Sequence, residues 1–167
     1  MSADNIIYSE LFEEFFILTE TEKFQPVKAK ENPLETNTKI TFTGTNKRKT
    51  LFVYNDINQL SENDLTMIRN LVVKGIGWSM EDIALINLSE NSDTKFEDIR
   101  NFFSSEKIIF WGCETFMQEN KIPRKVHEVI KGREINILSA NMFSFYSDNI
   151  EQKKNLWEAM KKIFDRK

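Results

Sequence analysis

The side chains that could do chemistry in this chain are few. Among 167 residues there is one cysteine, Cys113, and one histidine, His127. A lone Cys forms no intramolecular disulfide and no Cys-rich zinc site, and a lone His excludes paired-histidine metal motifs. No metal and no cofactor is therefore expected. What remains are carboxylates and amides in four short clusters: Asn55-Asp56-Ile57-Asn58, Asn87-Leu88-Ser89, Gly112-Cys113-Glu114 and Asn141-Met142-Phe143-Ser144. Asp56 is an available carboxylate, and Asn87 is an amide at the end of an apolar run. Each also has a plainer use, Asp56 as a turn residue and Asn87 as a partner for backbone groups. Cys113 has no basic neighbour in sequence to lower its pKa and suits a buried filler. His127, inside PRKVHEVIKG, suits the surface.

The four clusters share a position: each follows a short apolar run. TLFVY (50–54), DIALINL (82–88), KIIFW (107–111) and EINILSA (134–140) read as strands. Helical patterns lie between and after them. Residues 61–75 have Ser61 as N-cap, Asp64 at its third position and Gly75 and Gly77 as stops. Thr94-x-x-Glu97 opens a second helix bearing Phe96, Ile99, Phe102 and Phe103, and residues 113–120 make a short third one. Asp148-x-x-Glu151 caps a last helix with Leu156, Trp157, Met160, Ile163 and Phe164 inward. Strand alternating with helix predicts a three-layer α/β/α domain around a central four-stranded parallel sheet. Ligands of such sheets sit beyond the carboxyl ends of the strands. Asn55, Asp56, Asn87, Asn141, Met142 and Phe143 are therefore the pocket candidates. None of the clusters is a Gly-rich phosphate loop; TGTNKRKT (43–50) lacks the Gly-Lys-Ser/Thr ending and precedes a strand.

Charge divides the chain differently. Residues 1–22 carry six acids and no base, residues 23–49 seven bases and two acids, and the net charge is −3. Two of the three prolines, Pro26 and Pro33, fall in the middle segment. This predicts an N-terminal unit, 1–49, of amphipathic helix and linker, and a body, 50–167. Within NIIYSELFEEFFIL (5–18), Ile7, Leu11, Phe15 and Leu18 share one helical face, Phe12 and Phe16 flank it, and Glu10, Glu13 and Glu14 lie opposite. Nine of the thirteen residues 6–18 are apolar, too many for a helix left in water. Such a helix packs on its own body or docks into a partner's groove. Its acidic charge disfavours an anionic membrane surface. No run approaches a membrane span and the acidic start lacks a signal-peptide n-region, so the expected compartment is the cytoplasm. Without a global basic field, direct nucleic-acid binding is expected to be weak or absent, and Lys47-Arg48-Lys49 reads as a solvated strand lead-in.

In order and pattern, residues 50–165 resemble the uracil-DNA glycosylase fold. LVVKGIGWSMEDIALINL (71–88) is similar to that superfamily's helix, small-residue turn and strand ending in Asn. EKIIFWGCETF (106–116) resembles its third strand running into Gly and a short helix. INILSANMFSFYSD (135–148) stands in the place of the fourth strand and His-Pro-Ser loop, and NLWEAMKKIF (155–164) in that of the closing helix. The resemblance implies that Asn87 matches the base-reading Asn, while the water-positioning place reads Tyr54-Asn55-Asp56-Ile57, with neither the family's Gly nor its Pro but with the carboxylate of Asp56. It also implies that the loop histidine, which steadies charge on the leaving base, is replaced by Asn141-Met142-Phe143-Ser144. Little or no glycosylase activity is then expected. One branch of the fold, the psi subunit family of the bacterial DNA polymerase III clamp-loader complex, is similar in plan. It has an N-terminal segment ahead of a catalytically empty body. In that family the segment docks on the clamp loader and the body binds the chi subunit. The resemblance implies a non-catalytic, protein-binding accessory factor whose docking residues are Ile7, Leu11, Phe12, Phe15, Phe16 and Leu18. The alternative is a divergent DNA glycosylase acting on uracil or a damaged base through Asp56 and Asn87.

Overall fold

A computed structural model describes residues 39–165. The helix expected at 5–18 and the linker at 19–38 lie outside the described residues. A six-stranded sheet organises the chain, with strands β1 (Thr43–Gly44), β2 (Thr50–Tyr54), β3 (Ile83–Asn87), β4 (Lys107–Trp111), β5 (Val129–Lys131) and β6 (Asn136–Ala140). Their order across the sheet is β1-β3-β2-β4-β6-β5. The inner four are parallel and β1 and β5 pair antiparallel at the edges. The four expected strands are all present, but a four-stranded sheet is too small by these two edges. Strands of two and three residues are too short to show an alternating pattern in sequence. β1 also means that the sheet begins before residue 50, and Ile40 is already buried.

The helices are α1 (Glu62–Arg69), α2 (Phe96–Phe103), α3 (Glu114–Glu119) and α4 (Ile150–Ile163). Alternation along the strands sorts side chains into two apolar clusters. Phe52, Leu85, Ile109, Trp111 and Leu138 join Ile68, Leu71, Leu156 and Met160 of the first and last helical segments. Leu51, Val53, Ile86, Ile108 and Phe110 join Ile99 and Phe103 of α2 and Met117 of α3.

Local signals explain the helix boundaries. Ser61 Oγ accepts the Asp64 N–H at 3.1 Å, and Asp64 Oδ2 accepts the Ser61 N–H at 3.3 Å, the expected capping box. The α-helix ends at Arg69, and residues Asn70–Ile76 continue as a π-helix until Gly77 takes φ +75°, a left-handed cap. Two other caps fall one residue later than expected. The Asp98 carboxylate accepts the Lys95 N–H at 2.9 Å, in place of a Thr94–Glu97 box. Asn149 Oδ1 accepts the Gln152 N–H at 3.1 Å, in place of Asp148–Glu151. At Lys95 the side chain has no acceptor, so the Asp98 carboxylate alone makes that cap's bond.

Candidate functional site

The carboxyl ends of the parallel strands bring Asp56 and Asn87 together. β2 and β3 are neighbours in register, Tyr54 opposite Asn87, so the loop after Tyr54 passes directly over the end of β3. The Asn87 amide, 4% exposed, is taken up by backbone. Its Oδ1 accepts the Asp56 N–H at 3.1 Å and the Ser89 N–H at 3.2 Å, and its Nδ2 donates to the Asp56 carbonyl at 2.8 Å. Ser89 Oγ donates to the same carbonyl at 2.6 Å. Asp56 Oδ1 accepts the Asn58 N–H at 2.9 Å, an Asx turn. The next loop is fastened in the same way: buried Asn91 donates to the carbonyls of Asn87 and Thr41, at 2.7 and 3.0 Å, and accepts the Thr41 N–H at 2.8 Å. The chain arriving from the N-terminal segment is thereby pinned to the end of β3. Ser89 belongs to the strand-end cluster 87–89, whereas Asn91 lies beyond it, and nothing local distinguishes Asn91 from an ordinary loop polar residue.

Strand order reverses at β2, with β3 on one side and β4 on the other, so the crevice where an open sheet takes a ligand lies between the ends of β2 and β4. Here that crevice is filled. Gly112, at φ +62°, follows β4, and a Cβ on it would lie 2.2 Å from Met142 Cγ, so the Met142 side chain rests on the glycine itself. Cys113 Sγ lies 3.5 Å from the Val53 carbonyl and 3.3 Å from that of Trp111, and burial pushes its thiol up to about 12. Phe143 is buried and stacks on Trp111 with ring centroids 4.5 Å apart. Of the six pocket candidates, Phe143 belongs to the core, Asn87 to a backbone clasp, and Met142 to the crevice filling. Asn55 is exposed, and Asp56 and Asn141 are half-buried. The Trp111 Nε1–H, deep in the same cluster, has no hydrogen-bond partner.

His127 departs from its expected surface position. Val126 bridges to Ser139, the His127 N–H donates to the Ser139 carbonyl at 2.9 Å, and the residue takes φ +60°, a left-handed conformation uncommon for a side chain of this size. The half-buried ring is thus carried to the carboxyl end of β6, where Nε2 lies 2.7 Å from Tyr146 Oη. Tyr146, fully buried, also accepts the Asn141 N–H at 3.0 Å. With the Asn141 N–H on one lone pair, the phenol keeps a hydrogen to give to Nε2 and a second lone pair to accept from it, so the pair forms in either imidazole tautomer. Desolvation pushes the Tyr146 phenol up to about 12 and holds His127 below its ordinary value, so both are neutral. The phenol therefore ties the start of the loop after β6 to the His127 ring. No sequence signal marks this pairing, since it depends on one left-handed residue.

The bases 47–49 are each matched by an acid. Lys47 pairs with Glu81, Arg48 with Asp82 and Lys49 with Glu106, while the Arg48 guanidinium lies 4.9 Å over the Trp78 ring. Among the described residues no group of three His, Cys, Asp or Glu could hold a metal ion. No described helix is long and apolar enough to cross a membrane. A scan of protein-family models found none that matches this chain, and a search of curated proteins returned no significant match.

Proposed function

We propose that the protein is a non-catalytic accessory factor that works by binding other proteins. On the resemblance to the psi family, its place is with the clamp loader of the cytoplasmic DNA replication machinery. In this reading the body is a three-layer, glycosylase-like scaffold, and residues 5–18 dock through Ile7, Leu11, Phe12, Phe15, Phe16 and Leu18. The observation that carries it is the Asn87 clasp. An amide whose oxygen accepts two backbone N–H groups and whose nitrogen donates to a backbone carbonyl has little left for a flipped base. The filled crevice at Gly112 and the paired bases at 47–49 argue in the same direction. A tagged full-length chain should retain clamp-loader components from a lysate of its own cell, and the chain with Phe12→Glu and Phe15→Glu should not. Equal retention by both would remove the docking segment from the account.

One observation favours the divergent glycosylase: His127 stands at the carboxyl end of β6 after all. The discriminating experiment is incubation with uracil-containing single-stranded DNA. Abasic product lost with Asp56→Ala or His127→Ala would establish that reading in place of the first.

A further inference from the structure

The inner side of the β1 edge carries a groove of about 310 Å³. Its apolar lining comes from Phe42, Tyr54, Leu60, Leu65 and Leu85, of which the first four are only half-buried. Gln59 and Glu90 form a polar rim. Large apolar side chains left half-covered around one concavity are incompletely satisfied by the fold. One wall of the groove is Thr41-Phe42-Thr43, the first part of the body that the N-terminal segment reaches. That wall is fixed in place by the Asn91 clasp on Thr41. The first described residues of the chain therefore lead into the groove's own wall.

We propose that this groove is the resting berth of the chain's own residues 6–18, whose apolar face covers it until a partner takes that face away. The inference rests on the reading of residues 5–18 as a docking segment and adds its regulation. Nine apolar residues among those thirteen must be covered in the free protein. The twenty residues 19–38 separate them from the body, a tether that spans at most roughly 70 Å, so reach does not limit docking. An intramolecular ligand meets its site at a high effective concentration, on the order of millimolar, so a weak contact suffices to hold it. The rim, through Glu90, and the segment, through Glu10, Glu13 and Glu14, are both acidic, so like charge weakens the apolar contact and a partner can displace it. The same apolar face cannot occupy groove and partner together, so partner binding must first empty the groove.

Hydrogen exchange on the isolated full-length protein, with no partner present, tests this. Phe12→Glu with Phe15→Glu should raise deuterium uptake in the groove-lining stretches 41–43 and 57–66 by roughly threefold or more. From the other side, Leu60→Glu should raise uptake in 6–18 by a similar factor. Uptake across β2, β3 and β4 should stay as in the parent, which shows that both variants are folded. Unchanged uptake on either side overturns the proposal. Protection that falls on dilution, with a sedimenting mass of two chains, assigns the groove to a second copy and overturns it as well. Failure of clamp-loader retention with the mutual protection intact would remove only the partner assignment.

Discussion

Two strand ends in this molecule are tied down by different chemistry. At the ends of β2 and β3 the work is done by side-chain amides and a hydroxyl, Asn87, Asn91 and Ser89, bonded to backbone groups. At the end of β6 it is done by two titratable rings, Tyr146 and His127, meeting over the Asn141 N–H. An amide clasp is indifferent to pH across the range where proteins are stable. A phenol–imidazole pair is not, because its imidazole is half-buried and acid puts a charge on it that burial disfavours. The first end carries no group that titrates in its clasp, whereas the second includes a half-buried ring that acid charges.

That contrast can be broken most forcefully at Asn87. Asn87→Ala strips the partner from two half-buried N–H groups and one of two donors from the Asp56 carbonyl, and should destabilise the protein by about 3 kcal/mol in urea denaturation with little change of slope. A loss under 1 kcal/mol would mean that the amide clasp is ornamental. Between the two ends lies Gly112. Gly112→Ala forces a side chain into a left-handed conformation and displaces Met142, which should cost about 3 kcal/mol by the same measurement. At the β6 end, Tyr146→Phe keeps the ring packing and removes the hydroxyl, leaving the Asn141 N–H unpartnered. About 2 kcal/mol is expected there.

The smallest effect is the one that separates the two ends most cleanly. Burial holds His127 below its ordinary 6.5, so the unfolded chain takes up its proton first as pH falls. The contribution of the neutral ring is present in full above pH 6.5 and is lost as pH falls from there through the lower folded value. Thermal scans should therefore show stability declining below pH 6.5 in the parent. The decline should be shallower in His127→Gln and unaltered in Asn87→Ala. Equal slopes in all three would show that the imidazole does not govern this end. Alkali does not discriminate, because Tyr54 at the first end and Tyr146 at the second are both pushed up to about 12. Both lose stability as pH rises from 10 through 12.

Much of the frame was legible before any coordinates. β2 and β4 occupy the residues expected of them because TLFVY and KIIFW are β-branched and aromatic runs buried on both faces. The Ser61–Asp64 box declared the start of α1 from two side chains three residues apart. The plainer uses of Asp56 and Asn87, a turn and a backbone partner, were also visible, since short polar side chains at a strand end bond first to what is nearest. Other features depend on neighbours the sequence does not display. The edge strands β1 and β5 exist because β3 and β6 present unpaired backbone to them, and two or three residues carry no period of their own. At both caps, Lys95 and Asn149, the chain uses Asp98 and Asn149 where the local pattern points to Glu97 and Asp148.

The sequence by itself determined the alternation of strands and helices, the apolar face of residues 5–18, and the want of a histidine in the segment 141–144. Those properties reside in residue types and local spacing, and no packing can change them. The tertiary structure alone decided that the solitary histidine reaches the same strand end by another route. A left-handed turn at His127 and a bridge from Val126 to Ser139 carry it there across twelve residues of chain. Proximity across a sheet is fixed by register and burial, which are global outcomes of packing rather than properties of any short stretch.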